Sequence, residues 1–394
     1  MPVGTSSKAA AFTESVIRAM TQLCNQHRGV NLAQGFPDFP APRALKDAAK
    51  KAIDENYNQY SITWGALDLR QAIADKARSF NRIPCDADRN VTVTCGSTEA
   101  MMATLLAIIN PGDEVVIFEP FYENYGPDTI VSGAKPVWVP LHGAEFQFDA
   151  AELRRAFGPR TKAIILNTPH NPTGRVFTAE ELDQIASLCD EFDCYCVTDE
   201  IYEHILYDDR EHISIASLPG MSDRTVTISG FSKTFSVTGW RLAYAIAPDS
   251  VTAAIRKMHD FLTVGAPHPL QIAGVTALGF GADYYRDLRE QYQRRRDLLV
   301  AALNAAGFHC QEPEGAYYVM TDIRDFGFTD DTAFAQWLVR EGGVAAVPGS
   351  SFYRRGNAGR HQLRFTFCKT EETLAEAARR LARVPERLRA SRHR

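Results

Sequence analysis

The sequence predicts an α/β protein with a mostly parallel sheet, followed by a smaller α+β domain. Between about residues 90 and 250, short apolar runs rich in β-branched residues alternate with amphipathic helical stretches. This pattern is typical of parallel sheets covered by helices on both faces. The C-terminal quarter instead carries a long charged helical segment, further short strands and a terminal helix. With 394 residues, the chain is long enough for two or three domains and a large core.

Six apolar runs are the predicted strands of the larger sheet, and each ends in Gly, Pro or polar residues. They are VTVTCG, EVVIFEP, KPVWVP, AIILNTP, CYCVTDE and TVTISG. In the smaller domain, strands are predicted at GAYYVMTDI, VAAVPG and HQLRFTFC, and the closing helix at TLAEAARRLARVPERL. Because ligands of parallel sheets bind beyond the carboxyl ends of the strands, we expect the chemistry where the six runs end.

Composition and charge exclude several classes of protein. Hydrophobic residues make up 45% and charged residues 23% of the chain, which excludes a disordered or fibrous protein. The 43 Lys and Arg residues nearly balance the 48 Asp and Glu residues, so no overall attraction to nucleic acid or membranes is expected. No run of about 18 apolar residues predicts a membrane span, and the N-terminus lacks the apolar segment of a secretory signal.

The eight cysteines contain no C-x-x-C pair and predict neither a disulfide framework nor a zinc site; no metal is expected. Cys194 and Cys196 alternate in the run CYCVTD, so both thiols should face one side of the sheet. A reducing, cytoplasmic setting is therefore expected. The three arginines at 294–296 are predicted to form a solvated face of the long helix.

Two predicted strand ends carry charged candidates. Asp199 falls at the end of the strand in VTDEIY, where an Asp is commonly a helix cap or a metal ligand. Another strand ends near Gly230, and Lys233 follows in a small polar loop, with Arg241 eight residues later. A lysine at a strand exit is a surface residue in most proteins, so neither signal is specific by itself.

Two further strand ends carry polar candidates. Ser97 and Thr98 follow a strand and begin a helix, where hydroxyls and free N–H groups bind phosphate or simply cap the helix. Asn171 lies in the turn NTPHNPTG, whose prolines and glycine could be explained by turn chemistry alone.

Taken together, these candidates match the requirements of one cofactor, pyridoxal phosphate. A lysine forms a Schiff base with the aldehyde, and an aspartate keeps the pyridine nitrogen protonated so that the ring accepts electrons. A helix N-terminus and an arginine hold the phosphate. The joint interpretation is favoured over four separate structural ones.

The chain resembles the fold type I, class I aminotransferases, and is most similar to their kynurenine/glutamine/methionine branch. The motifs that carry the resemblance are NLAQGFPDFPAP, NQYSITWGALDLRQAIA, NTPHNPTG, TDEIYEHI and SKTFSVTGWRLAY, with weaker matches at GAYYVMTD and HQLRFTFC. The resemblance implies a large cofactor-binding domain over 46–285 with a seven-stranded type of sheet. It also implies a small C-terminal domain over 286–394, joined by an N-terminal arm over 1–45.

The resemblance implies a role for each residue around the cofactor ring. Lys233 corresponds to the Schiff-base lysine, which also moves the proton between the substrate Cα and the cofactor C4′. Asp199 corresponds to the partner of the pyridine nitrogen. Asn171 and Tyr202 match residues that contact the ring hydroxyl, and Tyr122 matches the aromatic residue that stacks on the ring.

The phosphate and the substrate have their own implied partners. Ser97, Thr98 and Arg241 correspond to phosphate ligands. Tyr60 matches a tyrosine that reaches the phosphate of the neighbouring subunit, which implies a homodimer with shared active sites. The carboxylate of the amino acid has a separate implied clamp, made of Arg364 assisted by Asn171 and the backbone at Gly35.

The sequence departs from the family pattern in two places. Gly230 occupies a position where many relatives have a phosphate-binding serine, so either Ser229 or Ser232 compensates or one hydrogen bond is missing. The segment 261–271 falls where relatives bring residues from the partner subunit toward the substrate. His268 in this segment is either a specificity or acid/base residue or a plain turn histidine.

The leading hypothesis is a homodimeric aminotransferase that moves the amino group of an L-amino acid to a 2-oxo acid by a ping-pong mechanism. The branch suggests aromatic, sulfur-containing or glutamine-like donors. An acidic donor is not predicted, because no second arginine for a side-chain carboxylate is identified in the sequence.

Two other functions compete with this hypothesis. In a C–S β-lyase the same Cα carbanion would expel a β-substituent, and such an enzyme could serve a specialised biosynthetic pathway. A regulatory protein built on an aminotransferase domain is disfavoured, because only about thirty residues precede NLAQGF and the catalytic candidates are all present.

Overall fold

The structure is a computed structural model that describes residues 4–12, 14–354 and 357–392. Its strands are β1 (Val30–Asn31), β2 (Val91–Thr94), β3 (Glu114–Glu119), β4 (Lys135–His142), β5 (Gln147–Phe148), β6 (Thr161–Asn167), β7 (Tyr195–Asp199), β8 (Thr225–Gly230), β9 (Ala243–Ile246), β10 (His309–Cys310), β11 (Tyr318–Asp322), β12 (Val344–Ala345), β13 (Val347–Pro348) and β14 (Gln362–Thr366). Its α-helices are α1 (Ser7–Ala10), α2 (Val16–Gln26), α3 (Arg43–Asp54), α4 (Leu67–Lys76), α5 (Ser97–Ile108), α6 (Tyr125–Ser132), α7 (Ala150–Ala156), α8 (Ala179–Glu191), α9 (Asp249–Thr263), α10 (His268–Leu278), α11 (Ala282–Ala305), α12 (Asp331–Trp337), α13 (Glu371–Leu381) and α14 (Val384–Arg392). No described helix is long and apolar enough to cross a membrane.

The large sheet has the strand order β2-β9-β8-β7-β6-β3-β4-β5. Strands β4, β3, β6, β7 and β8 are mutually parallel, which confirms the mostly parallel sheet and all six predicted strands. Strand β9 was not predicted, because its sequence AYAI is short and lacks β-branched residues until its end. It runs antiparallel to both β8 and β2, and β5 adds only a two-residue extension to the edge.

Both faces of the sheet are buried, as expected for parallel strands covered by helices. Alternate residues of β6 and β7 enter different apolar clusters, with Ile164 and Cys196 on one face and Ile165 and Val197 on the other. Cys194 shares the cluster of Cys196, which confirms that the two thiols face the same side. The in-register pairing of β6 and β7 also places their last residues next to each other, so the strand ends form one edge.

The C-terminal part of the chain forms the predicted smaller α+β unit. Its sheet has the order β10-β11-β14-β13, and β1 from the N-terminal segment pairs in parallel with β12 nearby. The predicted single closing helix is wrong, because the structure has two helices, α13 and α14. Pro385 lies in the first turn of α14, where its missing N–H is tolerated, but inside a continuous helix its ring would clash with the preceding turn. The domain limits at residues 45 and 285 stay predictions.

The arginine run at 294–296 corrects another expectation. The side chain of Arg294 is 58% exposed, but that of Arg296 is only 2% exposed. Arg295 is also buried, with its guanidinium 4.1 Å from the ring centroid of Phe39. Three consecutive helical positions cover more than half of the circumference of α11, so the run cannot lie on one solvated face.

Arg296 joins α11 to the rest of the molecule, and its loss should destabilise the fold. It forms ion pairs with Asp208 and with Glu312 (3.0 Å), and its guanidinium lies 4.8 Å from the ring centroid of Tyr207. We expect Arg296→Met to lower the free energy of unfolding by about 2 kcal/mol, through lost packing and ion pairing. The matched variant Arg294→Met should change it by less than about 0.5 kcal/mol. Urea denaturation followed by circular dichroism measures both, and equal effects would contradict the buried role of Arg296.

Candidate active site

One cavity of about 390 Å³ lies beyond the carboxyl ends of β6, β7 and β8, between the large sheet and the smaller C-terminal unit. Its walls include most of the candidate residues predicted from the sequence, with Tyr60 and His268 outside it. The candidates in the walls are Gly35, Ser97, Thr98, Tyr122, Asn171, Asp199, Tyr202, Lys233, Arg241 and Arg364. Segments that are more than 300 residues apart in sequence therefore meet in one concave site, as the topology of a parallel sheet permits.

Asp199 is a buried carboxylate at the end of β7. Tyr125 donates a hydrogen bond of 2.8 Å to Oδ2, and the backbone N–H of Ile201 donates one of 3.2 Å to Oδ1. Burial raises the pKa of Asp199 to about 6, against the opposing effect of these donors and of the Lys233 charge. The carboxylate is thus fixed in direction and ready to pair with a cation in the cavity.

Lys233 is a half-buried amine on the loop that follows β8. Its Nζ lies 5.8 Å from the ring centroid of Tyr202 and 5.7 Å from that of Tyr317. The loss of hydration in this setting lowers the pKa of Lys233 to about 8, although interactions with the Cys368 thiol and the Asp199 carboxylate act in the opposite direction. A larger fraction of this amine is therefore neutral and nucleophilic near pH 7 than for a lysine in water.

The N-terminus of α5 and Arg241 form one end of the cavity. Gly96 has a φ of +84° and precedes Ser97, the first residue of the helix. A Cβ on Gly96 would lie 2.3 Å from Nη2 of Arg241, so the absence of a side chain lets the guanidinium approach the helix N-terminus. Backbone N–H groups, hydroxyls and a cation in this arrangement suit a phosphate.

The structure separates the two serines that could compensate for Gly230. A Cβ on Gly230 would lie 2.7 Å from Cβ of Ala243 on the adjacent strand, so a serine does not fit there. Ser229 donates its hydroxyl hydrogen bond to the buried Glu203. Ser232 lines the cavity, so of the two serines it stays the candidate for a phosphate ligand.

Arg364 on β14 forms the opposite end of the cavity and is only 1% exposed. Its Nη1 donates to the side-chain oxygen of Asn171 at 2.9 Å, and its Nη2 donates to the carbonyl of Ala33 at 3.0 Å. The guanidinium carbon lies 4.1 Å from the ring centroid of Tyr318. Nε is buried without a hydrogen-bond partner, which is costly unless an anion binds there. A substrate carboxylate is the anion that a planar guanidinium suits best.

These observations fit pyridoxal phosphate with an amino acid bound beside it. At one end, Gly96 lets the guanidinium of Arg241 lie against the N-terminus of α5, where a phosphate would bind. At the other end, Nε of Arg364 has no hydrogen-bond partner and suits a carboxylate. Lys233 and Asp199 lie between these ends, with a nucleophilic amine and an anionic partner for a ring nitrogen. Together these groups satisfy the phosphate, the aldehyde, the ring nitrogen and the substrate.

Sequence reasoning missed several residues of the cavity wall. Tyr125 is not among the predicted site residues, because its hydrogen bond to Asp199 appears only in the folded chain. Arg18 and Glu123 also line the cavity, so the cavity wall holds an arginine besides Arg241 and Arg364. No motif marks Arg18, which reaches the cavity because the N-terminal helix α2 packs beside it.

Two candidates lie outside the cavity of their own chain. Tyr60 is 84% exposed and does not belong to the cavity wall. His268 begins α10, where Nδ1 lies 3.0 Å from the carbonyl of Gln59 and the ring packs edge-on against Tyr57. Both residues therefore belong to one surface region around residues 57–60.

A cluster of possible metal ligands in the described part of the chain lies behind the cavity, formed by Glu200, Glu203 and His212. Its carboxylates already have cationic and amide partners. Lys76 places Nζ 2.5 Å from Glu203, and Asn81 donates to the same oxygen at 2.7 Å. Because the lysine ammonium occupies the position of a cation, we assign no metal to this cluster.

Comparison with known proteins identifies the family. The profile of the aminotransferase class I and II family matches residues 27–381. A protein of Mycobacterium tuberculosis, named as a probable N-succinyldiaminopimelate aminotransferase, is 39% identical over 97% of this chain and 99% of its own length. Methionine aminotransferase of Escherichia coli is 36% identical over 97% of this chain and 99% of its own length. Human kynurenine–oxoglutarate transaminase 1 is 37% identical over 90% of this chain and 92% of its own.

Solved structures agree with the sequence relatives. The structure of N-succinyldiaminopimelate aminotransferase from Mycobacterium tuberculosis superposes with a TM-score of 0.94 at 40% identity, over 96% of this chain and 99% of that one. The structure of the Escherichia coli methionine aminotransferase gives a TM-score of 0.93 at 36% identity, over 97% and 100% of the two chains. These neighbours have the fold type I architecture, and members of the family use pyridoxal phosphate. The chain therefore belongs to the class I and II aminotransferases and is a pyridoxal phosphate-dependent transaminase.

Proposed function

We propose that the enzyme transfers the amino group of an L-amino acid with an aromatic, sulfur-containing or glutamine-like side chain to a 2-oxo acid. The observation that carries the proposal is the shared cavity of Lys233, Asp199 and Arg364. The groups needed for covalent attachment, ring protonation and carboxylate binding lie on its walls. Two half-reactions use the same site in turn, which corresponds to a ping-pong mechanism.

Each residue of the site has a distinct task in this proposal. Bound pyridoxal phosphate supplies the electron sink that stabilises charge developing on the substrate Cα. Lys233 would hold the cofactor covalently and, as a free amine, would move a proton between the substrate Cα and the cofactor C4′. Asp199 holds a proton on the pyridine nitrogen, and the hydroxyl of Tyr125 holds Asp199 in place. Arg364 orients the substrate through its carboxylate.

The remaining wall residues hold the cofactor in this scheme. Tyr122 stacks on the ring, while Asn171 and Tyr202 face the ring hydroxyl. The phosphate is held at the other end of the cavity. Its ligands are Ser97, Thr98, Ser232 and Arg241.

The walls of the cavity near α2 support an apolar donor. Ile17, Phe36 and Tyr122 contribute carbon surface there. Relatives named for methionine and kynurenine have the same fold and near full-length similarity. Arg18 and Glu123 add one charge of each sign to the same wall, so acidic and basic donors belong in any substrate test.

We propose a homodimer in which each subunit completes the phosphate site of the other. The support is an exposed apolar surface that we call the dimer patch. It consists of Ile53, Tyr57, Tyr60, Ile62, Leu67, Phe261, Leu262 and Val264. The patch residues come from two segments, 53–67 and 261–264. These segments are in contact, because Nε2 of His259, just before the second segment, lies 2.8 Å from the carbonyl oxygen of Thr63 in the first. The carbonyl of Gly265, which follows the second segment, accepts a hydrogen bond from the thiol of Cys95. Cys95 is close in sequence to the N-terminus of α5 at the phosphate end of the cavity, where Arg241 is exposed.

A contiguous apolar surface of this kind is uncommon on a monomer and typical of a permanent interface. Tyr60 is therefore well placed to reach the phosphate of a second copy. His268 shares this surface, so a role toward the partner's substrate is consistent with the same proposal.

We also propose a cytoplasmic location. All eight cysteines are free, and six of them are buried. Free thiols in the core suit a reducing compartment.

A single-turnover experiment tests the proposed reaction. Cofactor-loaded enzyme is mixed with a panel of apolar, acidic and basic L-amino acids without any oxo-acid acceptor. We expect the absorbance of the cofactor to convert once to its amino form, with a single equivalent of oxo acid and no free ammonia. The donor that reacts fastest names the substrate class. Continuous release of ammonia would contradict transamination and support the C–S β-lyase alternative.

The lowered pKa of Lys233 gives a second prediction. Covalent attachment needs the neutral amine, so the rate of cofactor attachment to the cofactor-free enzyme should rise through about pH 8. A lysine in water would show this rise near pH 10.4. Stopped-flow absorbance measures the rate. Lys233→Ala should bind the cofactor without a covalent link and should not turn over, whereas the surface variant Lys162→Ala should behave as wild type.

The dimer patch gives a third prediction. Phe261, at 92% exposure, is the most exposed apolar side chain of the patch. We expect Phe261→Asp to weaken self-association by about a hundredfold. Analytical ultracentrifugation measures this change, and cofactor retention should fall with it. Phe80→Asp, which changes an exposed phenylalanine outside the patch, serves as the control. An unchanged association constant for Phe261→Asp would exclude this surface as the interface.

A further inference from the structure

Beside Arg364, whose Nη2 donates to the carbonyl of Ala33, the cavity is lined by the segment 34–36. At Gly35 this segment presents only backbone, because glycine has no side chain. A Cβ on Gly35 would lie 2.0 Å from the hydroxyl oxygen of Tyr318, so the chain passes too close to that ring for any side chain. At this point the substrate would contact peptide groups. The direction of each peptide group determines whether it presents an N–H donor or a carbonyl acceptor to the substrate.

Lys369 holds two of these peptide groups. Its Nζ donates to the carbonyl of Phe36 at 2.7 Å and to that of Gln34 at 3.3 Å. The ammonium also lies 4.0 Å from the ring centroid of Phe36. The residue is only 3% exposed, so the lysine is committed to this contact and is not a surface residue.

Other residues hold the same segment from the C-terminal part of the chain. The hydroxyl of Tyr317 donates to the carbonyl of Gly35 at 2.9 Å. Asp38, just beyond the segment, accepts from the backbone N–H of Thr370 at 2.6 Å and from the hydroxyl of Thr373 at 2.7 Å. The wall is thereby tied to the strand that carries Arg364 and to the residues that follow it.

The contact of Lys369 with Gln34 has a consequence for the next N–H group. The peptide bond between Gln34 and Gly35 is trans, so its C=O and N–H groups point in opposite directions. Because the carbonyl points toward Lys369, the N–H of Gly35 points away from it. The backbone N–H of Phe36 also donates to this carbonyl, at 2.9 Å, so Lys369 is one of two donors that hold it. Without Lys369 the carbonyl is held less firmly and can turn toward the cavity, where its oxygen would repel a carboxylate.

We propose that Lys369 is a positioning residue for the substrate carboxylate, acting through the backbone of Gln34 and Phe36. It fixes the N–H of Gly35 as a hydrogen-bond donor beside the guanidinium of Arg364. The proposal rests on the proposed function, because it concerns the carboxylate end of the same site. Lys369 itself touches neither the cofactor nor the substrate.

The test separates carboxylate recognition from general damage. The variant Lys369→Met keeps the length of the side chain and removes its donors. Two probes are titrated into the cofactor-loaded enzyme by calorimetry. One is 3-phenylpropanoate, which has a carboxylate but no amine, and the other is 3-phenylpropanol, which has neither.

We expect the variant to bind 3-phenylpropanoate about tenfold more weakly, as for loss of a hydrogen bond to a charged group. Its affinity for 3-phenylpropanol should be unchanged. KM for the donor should rise by a similar factor with little change in kcat, because the carboxylate is held equally in the ground and transition states. Lys369→Arg, which restores donors and charge, should recover part of the loss, and Lys162→Met should resemble wild type.

Several outcomes would overturn the proposal. Equal losses for the acid and the alcohol would indicate a purely structural role for Lys369. A fall in kcat at constant KM would place its effect on the chemistry instead. If Lys369→Met does not fold, Lys369→Gln is measured in the same two titrations under the same criteria. The binding assay needs no turnover, so it remains decisive even if the proposed donor class is wrong.

Discussion

The active site depends on a carboxylate that is kept charged inside the protein. Asp199 lies at the end of β7 and is only 7% exposed, a position that would ordinarily favour the neutral acid. The hydrogen bonds from Tyr125 and the N–H of Ile201 offset part of that cost, and the Lys233 charge offsets more. A cation bound in the cavity would offset the rest, and the protonated ring nitrogen of pyridoxal phosphate is such a cation.

This preparation requires a rigid support, which the sheet and its surroundings supply. Asn167, the last residue of β6, donates to the backbone carbonyl of Asp199 at 2.8 Å and accepts from the N–H of Asn171 at 2.8 Å. Behind the site, Glu203 binds Lys76 and Ser229 and so connects the loop after β7 to the end of β8. The loops that carry Asp199, Asn171 and Lys233 are thus fixed to one another as well as to their strands.

The sequence predicts most of this site because its signals are local. Each of the residues Asp199, Lys233, Ser97 and Asn171 follows a strand with a recognisable pattern, and parallel strands bring their ends together. The choice of Ser232 over Ser229 could not be predicted, because it depends on which way each hydroxyl points after folding.

Other features of the structure are not predicted by any local sequence pattern. The short strand β9 has no strong strand signal, and Arg18 reaches the cavity only through the packing of α2. The arginine run at 294–296 illustrates the same limit, since composition suggests a solvated surface and helix geometry buries two of its three members. Such residues become visible when elements far apart in sequence pack together.

The backbone wall at Gly35 has a consequence for how this family diversifies. A surface made of peptide groups cannot be altered by exchanging side chains, and a Cβ at Gly35 would collide with Tyr318. Relatives of this fold are nevertheless named for donors as different as methionine, kynurenine and N-succinyldiaminopimelate. Side chains line the cavity elsewhere, at Ile17, Arg18 and Glu123, and only positions of that kind can change the shape and charge of the cavity by substitution.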